Sequence, residues 1–343
     1  MRPPDTAQAH HHGGSPSRAR GSGRGGDRVM VPEADFTSYY GRPIVKPAPW
    51  EHDIAIYLFT GGVAAGSSML AAGADLTDRP ALRRVGRLGS LVSLALSMGA
   101  LVHDLGKPSR FINMLRVAKL TSPMSVGTWI LALHGPFAAA ASAAEVVGML
   151  PARWQRGPLG ILLVLGRPAG IVGALTAPPV AAYTAVLLAD TATPAWHSAF
   201  RELPFVFCGS AAAASGGLGL LGTPVDQAGP ARAFAVGGAA VELAAERRME
   251  QSMGISAETL HQGTAGRWMR ASIALTAAGA VGALAGRRSR ALSMASGAAL
   301  MAGSLCTRMG VFEAGIASAK DPKYTVVPQR ERVDRGEQVR YQG

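Results

Sequence analysis

Residues 43–66, PIVKPAPWEHDIAIYLFTGGVAAG, decide how the rest of the chain is read. They set Trp50, Glu51, His52 and Asp53 against an uncharged run from Ile54 to Ala74. A run of about twenty apolar residues is what a helix needs to cross a bilayer core. Anchoring such a helix does not require ionisable groups at its mouth. Because they are costly to desolvate at that depth, they mark a site that handles protons, ions or a polar headgroup.

The composition agrees with a membrane protein. Of the 343 residues 48% are hydrophobic and only 16% charged, against roughly 25% charged in an ordinary soluble domain. Mean hydropathy is only +0.18, because the tails are polar and the 43 glycines score weakly, although small residues let membrane helices approach closely. A windowed reading predicts about eight spans: 54–74, 85–103, 125–149, 168–189, 203–222, 231–245, 271–285 and 291–317. The sixth and seventh are short for a span. The expected fold is therefore all-α, a polytopic transmembrane helix bundle of two four-helix halves. A basic arm over 1–35, rich in Gly, Arg, Ser and Pro, is expected to be disordered. A membrane domain over 36–322 follows, then an irregular charged tail over 323–343.

The formal charge of +12 does not indicate nucleic acid, because the basic residues are scattered through tails and short connections and line no single face. They set topology and meet anionic membrane lipid instead. Their balance between the two sides leaves orientation open. Cys208 and Cys306 fall inside apolar spans, and two thiols cannot ligate an iron–sulfur cluster. Residues 217–222 fit a GxGxxG pattern but neither follow a strand nor open a βαβ unit, so they are helix packing and not a nucleotide site. His103 and His134 lie on consecutive spans at unmatched depths, which argues against axial haem ligation. No metal, haem or nucleotide is expected on this chain.

Residues 103–129, HDLGKPSRFINMLRVAKLTSPMSVGTW, carry a longer pattern: a helix ending in D-L-G-K-P-x-R-F and the next opening at S-P-M-S-x-G-x-W. It resembles the NrfD/PsrC family, the integral membrane subunits of polysulfide-reductase-type molybdoenzyme complexes. Trp50 followed by Tyr57, Gly61, Gly62 and Gly66 is similar to that family's first helix, and Tyr183 with Pro194 and Trp196 to its fourth. The resemblance spans roughly residues 39–327. It implies a multi-pass protein of the cell membrane that is not catalytic alone. Such a subunit exchanges electrons between menaquinone or another quinone and a four-cluster or similar ferredoxin-like iron–sulfur subunit, itself joined to a molybdopterin oxidoreductase subunit bearing molybdenum or tungsten. The chain departs from the pattern in the first helix, where Tyr57 and Ile54 stand in place of a histidine and an asparagine. Glu51, His52 and Asp53 are then expected to supply the replacement contacts.

The residues support a quinone site on their own chemistry. Tyr57 lies four positions after Asp53, on the same helical face. A phenol donates to a quinone oxygen, while an imidazole or carboxylate passes protons. The expected quinone-binding set is His52, Asp53, Tyr57, Asp104 and Tyr183. Pro178-Pro179 is expected to kink the fourth span beside Tyr183. His134, Glu145, Asp190, Glu242 and Glu313 form a possible proton path, with interfacial pairing as the other reading; Glu313, for example, has Arg308 and Lys320 within reach. Lys107 and Arg110 are the expected partner contacts. The alternative function is an ion-translocating or secondary transport protein without quinone chemistry, and a passive anchor would need only one span.

Overall fold

The computed structural model of the chain describes residues 43–336 apart from 105, 106, 108 and 110. The basic arm and Arg110 lie outside the described residues. Among the described residues there is no strand. In chain order the helices are α1 (His52–Leu76), α2 (Pro80–Asp104), the short α3 (Phe111–Met114), α4 (Pro123–Met149), α5 (Gly160–Ala189), the short α6 (Pro194–Ser198), α7 (Leu203–Gly222), α8 (Gly229–Ser252), the short α9 (Glu258–His261), α10 (Gly263–Ala285), α11 (Arg290–Lys320) and α12 (Lys323–Asp334).

Eight of these helices are 20 residues or longer. Helix is what an apolar run adopts in lipid, since it satisfies its own backbone groups there. Short connections make the eight alternate in direction. The start of α1, the end of α2 and the start of α4 therefore share one face, called here the near face. One group of four, α1, α2, α4 and α5, packs against a second, α7, α8, α10 and α11, chiefly through α1 and α7. Close approach is built into α1: a Cβ on Gly66 would come within 2.3 Å of the Ser215 hydroxyl oxygen on α7.

Six of the eight, α1, α2, α4, α5, α7 and α10, are long and apolar enough to cross a membrane. The other two carry charge in mid-helix, Glu242 and Glu246 on α8 and Arg308 on α11. The two spans read as short, 231–245 and 271–285, belong to helices that run 229–252 and 263–285. Both helices continue through the charged residues near the near face, with Arg247, Arg248, Arg267 and Arg270 exposed and Glu246, Met249 and Met269 buried. Helix α5 continues through Pro178 and Pro179.

The tail expected to be irregular from 323 is helical over Lys323–Asp334. The Asp321 carboxylate accepts from the amide of the first helical residue, Lys323, at 2.9 Å, which satisfies one orphan amide, and Tyr324 is buried. Lys323 Nζ also donates to Glu258 at 2.6 Å, a bond that holds its ammonium above the ordinary lysine value. The main core cluster, including Tyr57, Leu58, Leu131, Tyr183, Trp196, Phe207 and Phe312, joins both helix groups.

Candidate functional site

At the near face α1, α2, α4 and α5 converge on a cavity of about 310 Å³, into which α1 brings Ile54 and Tyr57, α2 Leu101 and Asp104, α4 Thr128 and Leu131, and α5 Tyr183 and Leu187. Trp50, Met114 and Met124 also line it. The volume is at the low end of the roughly 300–1,000 Å³ of small-molecule sites, and apolar walls with few polar groups are typical of them.

The S-P-M-S-x-G-x-W stretch builds one wall. Ser122 caps α4, accepting from the Ser125 amide at 3.4 Å, and Pro123 follows where its missing amide costs nothing. The Ser125 hydroxyl donates to the Val117 carbonyl at 3.0 Å and accepts from the Lys119 amide at 2.9 Å. Trp129 Nε1 donates to the same Val117 carbonyl at 3.3 Å. These bonds hold the connection that carries Met114 against the start of α4. Gly127 has a different role, because a Cβ there would lie 2.3 Å from Tyr183 Cε2. The ring of Tyr183 occupies that space.

Tyr57 and Tyr183 are 3% and 8% exposed and both line the cavity; no hydrogen bond of either hydroxyl is made among the described residues, and neither oxygen is among the fully buried unpartnered atoms, so both are open to the cavity. Each phenol is therefore free to donate to a molecule in the cavity. His52 and Asp53 do not line the cavity. At the rim, His103 Nδ1 lies 2.5 Å from Asp53 Oδ2 and His52 Nε2 lies 2.9 Å from Glu313 Oε1. Glu51 is exposed, while Asp53 engages α2 and His52 engages α11. Glu313 accordingly pairs with neither Arg308 nor Lys320. Trp50 stacks on Trp196 at 5.7 Å between ring centroids, and Trp196 meets Phe312 at 5.9 Å, so an aromatic layer ties this rim to α6 and α11.

The family model described as "Polysulphide reductase, NrfD" matches residues 44–223, a stretch that includes every helix lining the cavity. The chain belongs to the NrfD family. With six helices long and apolar enough to cross a membrane, this NrfD-family chain is a multi-pass membrane protein, a subunit of the polysulfide-reductase-like kind of complex that joins molybdoenzyme and iron–sulfur subunits in general. No curated protein matches the chain.

The remaining predicted residues fall in separate places. Lys107 is exposed at the near face. Asp190 lines a larger, more open cleft of about 650 Å³ with His197 and residues of α12, which none of the cavity tyrosines enters. His134 is fully buried in the first helix group, its Nδ1 3.1 Å from the Thr176 hydroxyl and its Nε2 3.5 Å from Ser68. Glu145 is at the far face in an ion cluster: it accepts from Arg83 and, at 3.3 Å, from Arg87, while Asp75 takes Arg83 at 3.1 Å and Arg87 at 3.3 Å. Glu242 is in the second group, where Thr307 donates to it at 2.6 Å.

Sequence reasoning missed Glu246, buried beside Glu242, and read Arg308, buried there too, only as a partner for Glu313. A signal existed for Glu246, four positions after Glu242 and so on the same helical face. It also passed over the pairing of His103 with Asp53: the short connection between α1 and α2 sets the start of one beside the end of the other, but the sequence does not say which side chains there meet.

Proposed function

We propose that the cavity holds the ring of a membrane quinone, menaquinone or a relative, and that the chain is the quinone-reactive subunit of its complex. The observation that carries this reading is the pair of unpartnered phenols, Tyr57 and Tyr183, facing one apolar cavity near the bilayer edge. Each donates a hydrogen bond to one ring oxygen, while Ile54, Leu101, Leu131 and Leu187 exclude water from the ring faces. Reduction of the quinone to the quinol takes up two electrons and two protons. The electrons come from, or return to, an iron–sulfur subunit seated on the near face over Lys107, behind which stands the molybdenum or tungsten catalytic subunit. Protons pass through Asp104, which lines the cavity, and through the rim pairs Asp53–His103 and His52–Glu313, since carboxylates and imidazoles are the usual proton carriers at reacting groups.

The test uses Tyr57→Phe and Tyr183→Phe in the assembled complex. Losing a buried donor costs about 1–3 kcal/mol, so each substitution is expected to slow quinone-linked turnover roughly tenfold. Dye-linked activity at the catalytic partner is expected to persist, since that electron path bypasses the membrane. Wild-type quinone turnover in both variants would place the quinone elsewhere.

A further inference from the structure

The most unusual buried group outside the cavity lies in the second helix group. Glu242 and Arg308 are 0% exposed and Glu246 2%. Arg308 Nη2 donates to the Phe207 carbonyl at 2.9 Å, and its guanidinium carbon sits 3.6 Å from the centroid of the Phe207 ring. The rest of the cluster is poorly satisfied. Glu242 Oε2, both oxygens of Glu246, and Arg308 Nε and Nη1 make no hydrogen bond among the described residues. The nearest polar neighbours are hydroxyls, Ser210 on α7 and Thr307 on α11, with Ser272 on α10 at 2.5 Å from Thr307. From α7 the Cys208 thiol also faces Arg308. From α1 Gly62 comes close, where a Cβ would stand 3.3 Å from Arg308 Nη2.

The charges do not balance. Two ionised carboxylates beside one guanidinium leave a net charge of about −1 where no water-exposed surface screens it, and a buried unpaired charge costs several kcal/mol. One added proton makes the cluster neutral and turns an orphan acceptor oxygen into a donor. A proton held there needs a way in. Glu250 follows Glu246 by four positions on the same face of α8, its side chain is 27% exposed, and its Oε1 lies 3.7 Å from Nε2 of His261, whose side chain is 60% exposed. Exposure thus rises stepwise from Glu242 through Glu246 and Glu250 to His261 at the near face.

We infer that Glu242 and Glu246 share one exchangeable proton, with Arg308 as counter-charge, and that Glu250 and His261 are its route to the near-face solution. The step is proton binding alone: a hydronium ion delivers a proton to a carboxylate and leaves a water. It involves none of the cavity residues and stands whether or not a quinone binds there.

Infrared spectroscopy of the full chain in lipid nanodiscs tests it. In wild-type protein a carboxylic C=O stretch is expected that shifts in deuterium oxide. Glu246→Gln and, independently, Glu242→Gln should each remove that band, because the remaining carboxylate pairs with Arg308 as an ion. Glu250→Gln should keep the band but slow its deuterium exchange about a hundredfold, the scale of losing a positioned acid–base group. Absence of the band in wild type, or its survival in both Gln variants, would overturn the inference, as would unchanged exchange in Glu250→Gln. If one Gln variant fails to accumulate, the other decides.

Discussion

The two helix groups bury polar side chains in opposite ways. In the first, Tyr57 and Tyr183 face a cavity of about 310 Å³, make no hydrogen bond among the described residues, and are walled mostly by apolar side chains, with Asp104 and Thr128 among them. In the second, Glu242, Glu246 and Arg308 are buried near one another at a helix interface, where the imbalance is one of charge. An unpartnered hydroxyl costs about 1–3 kcal/mol and is satisfied by a visiting neutral molecule. An unbalanced carboxylate costs more and is satisfied by a proton. The first arrangement suits exchange of a ligand, and the second suits retention of a charge.

This contrast can be broken most severely at Arg308. Arg308→Leu removes the counter-charge from two buried carboxylates, and breaking a buried pair in this way costs about 3–5 kcal/mol. The expected result is a large fall in thermal stability, or no accumulated protein. The cavity variants Tyr57→Phe and Tyr183→Phe should unfold close to the wild-type temperature, so thermal unfolding of the three proteins side by side is the measurement. Equal stability of all three would mean that Arg308 is not a counter-charge.

A smaller effect is expected at Gly127. In Gly127→Ala the new methyl would stand 2.3 Å from Tyr183 Cε2 and 2.5 Å from Cδ2, so the ring must move. Displacing a positioned group by about 1 Å can cost a hundredfold in rate. Quinone-linked turnover should fall by about that factor, more than in Tyr183→Phe, which keeps the ring in place. A milder effect for Gly127→Ala than for Tyr183→Phe would show that the ring has room to yield.

The smallest effect belongs to the near-face surface. Lys107→Glu reverses an exposed charge, and exposed pairs are worth about 0–1 kcal/mol. Co-purification of the iron–sulfur subunit should weaken by a few-fold and more at low salt than at high salt, because rim charges act chiefly on association. Salt-independent co-purification would place the partner on another part of that face.

The fold was largely legible because apolar runs the length of a bilayer leave the backbone little choice. The spans read at 54–74 and 125–149 became helices over 52–76 and 123–149. Legibility failed at Glu246 and Arg247, adjacent charges that look like one solvated stop. On the helix they point apart, one into the core and one outward, a distinction that only packing makes. Of the expected site, Tyr57, Asp104 and Tyr183 do meet. No periodicity could have set α1 beside α5, and only the likeness of the motifs brought these residues together. His52 and Asp53 sit in the first turn of α1, where sequence gives a side chain's position but not its direction, and they face Glu313 and His103. The helix over 323–334 had a local signal in Asp321 before Pro322 that high charge obscured.

The charges held inside α8 and α11 bear on how this protein is made. A charged residue at the centre of a helix adds roughly 2.5–3.5 kcal/mol to its insertion cost, and α8 bears two, Glu242 and Glu246, where α11 bears Arg308. Neither is among the six helices that qualify by length and composition. Each packs along a neighbour that does, α8 on α7 and α11 on α10. Biogenesis therefore favours paired insertion, in which an apolar helix waits at the translocon for its charged successor and the two leave together as a hairpin. The acids of α8 would then find their arginine only when the last long helix arrives, which makes the closing of this cluster a late checkpoint in assembly.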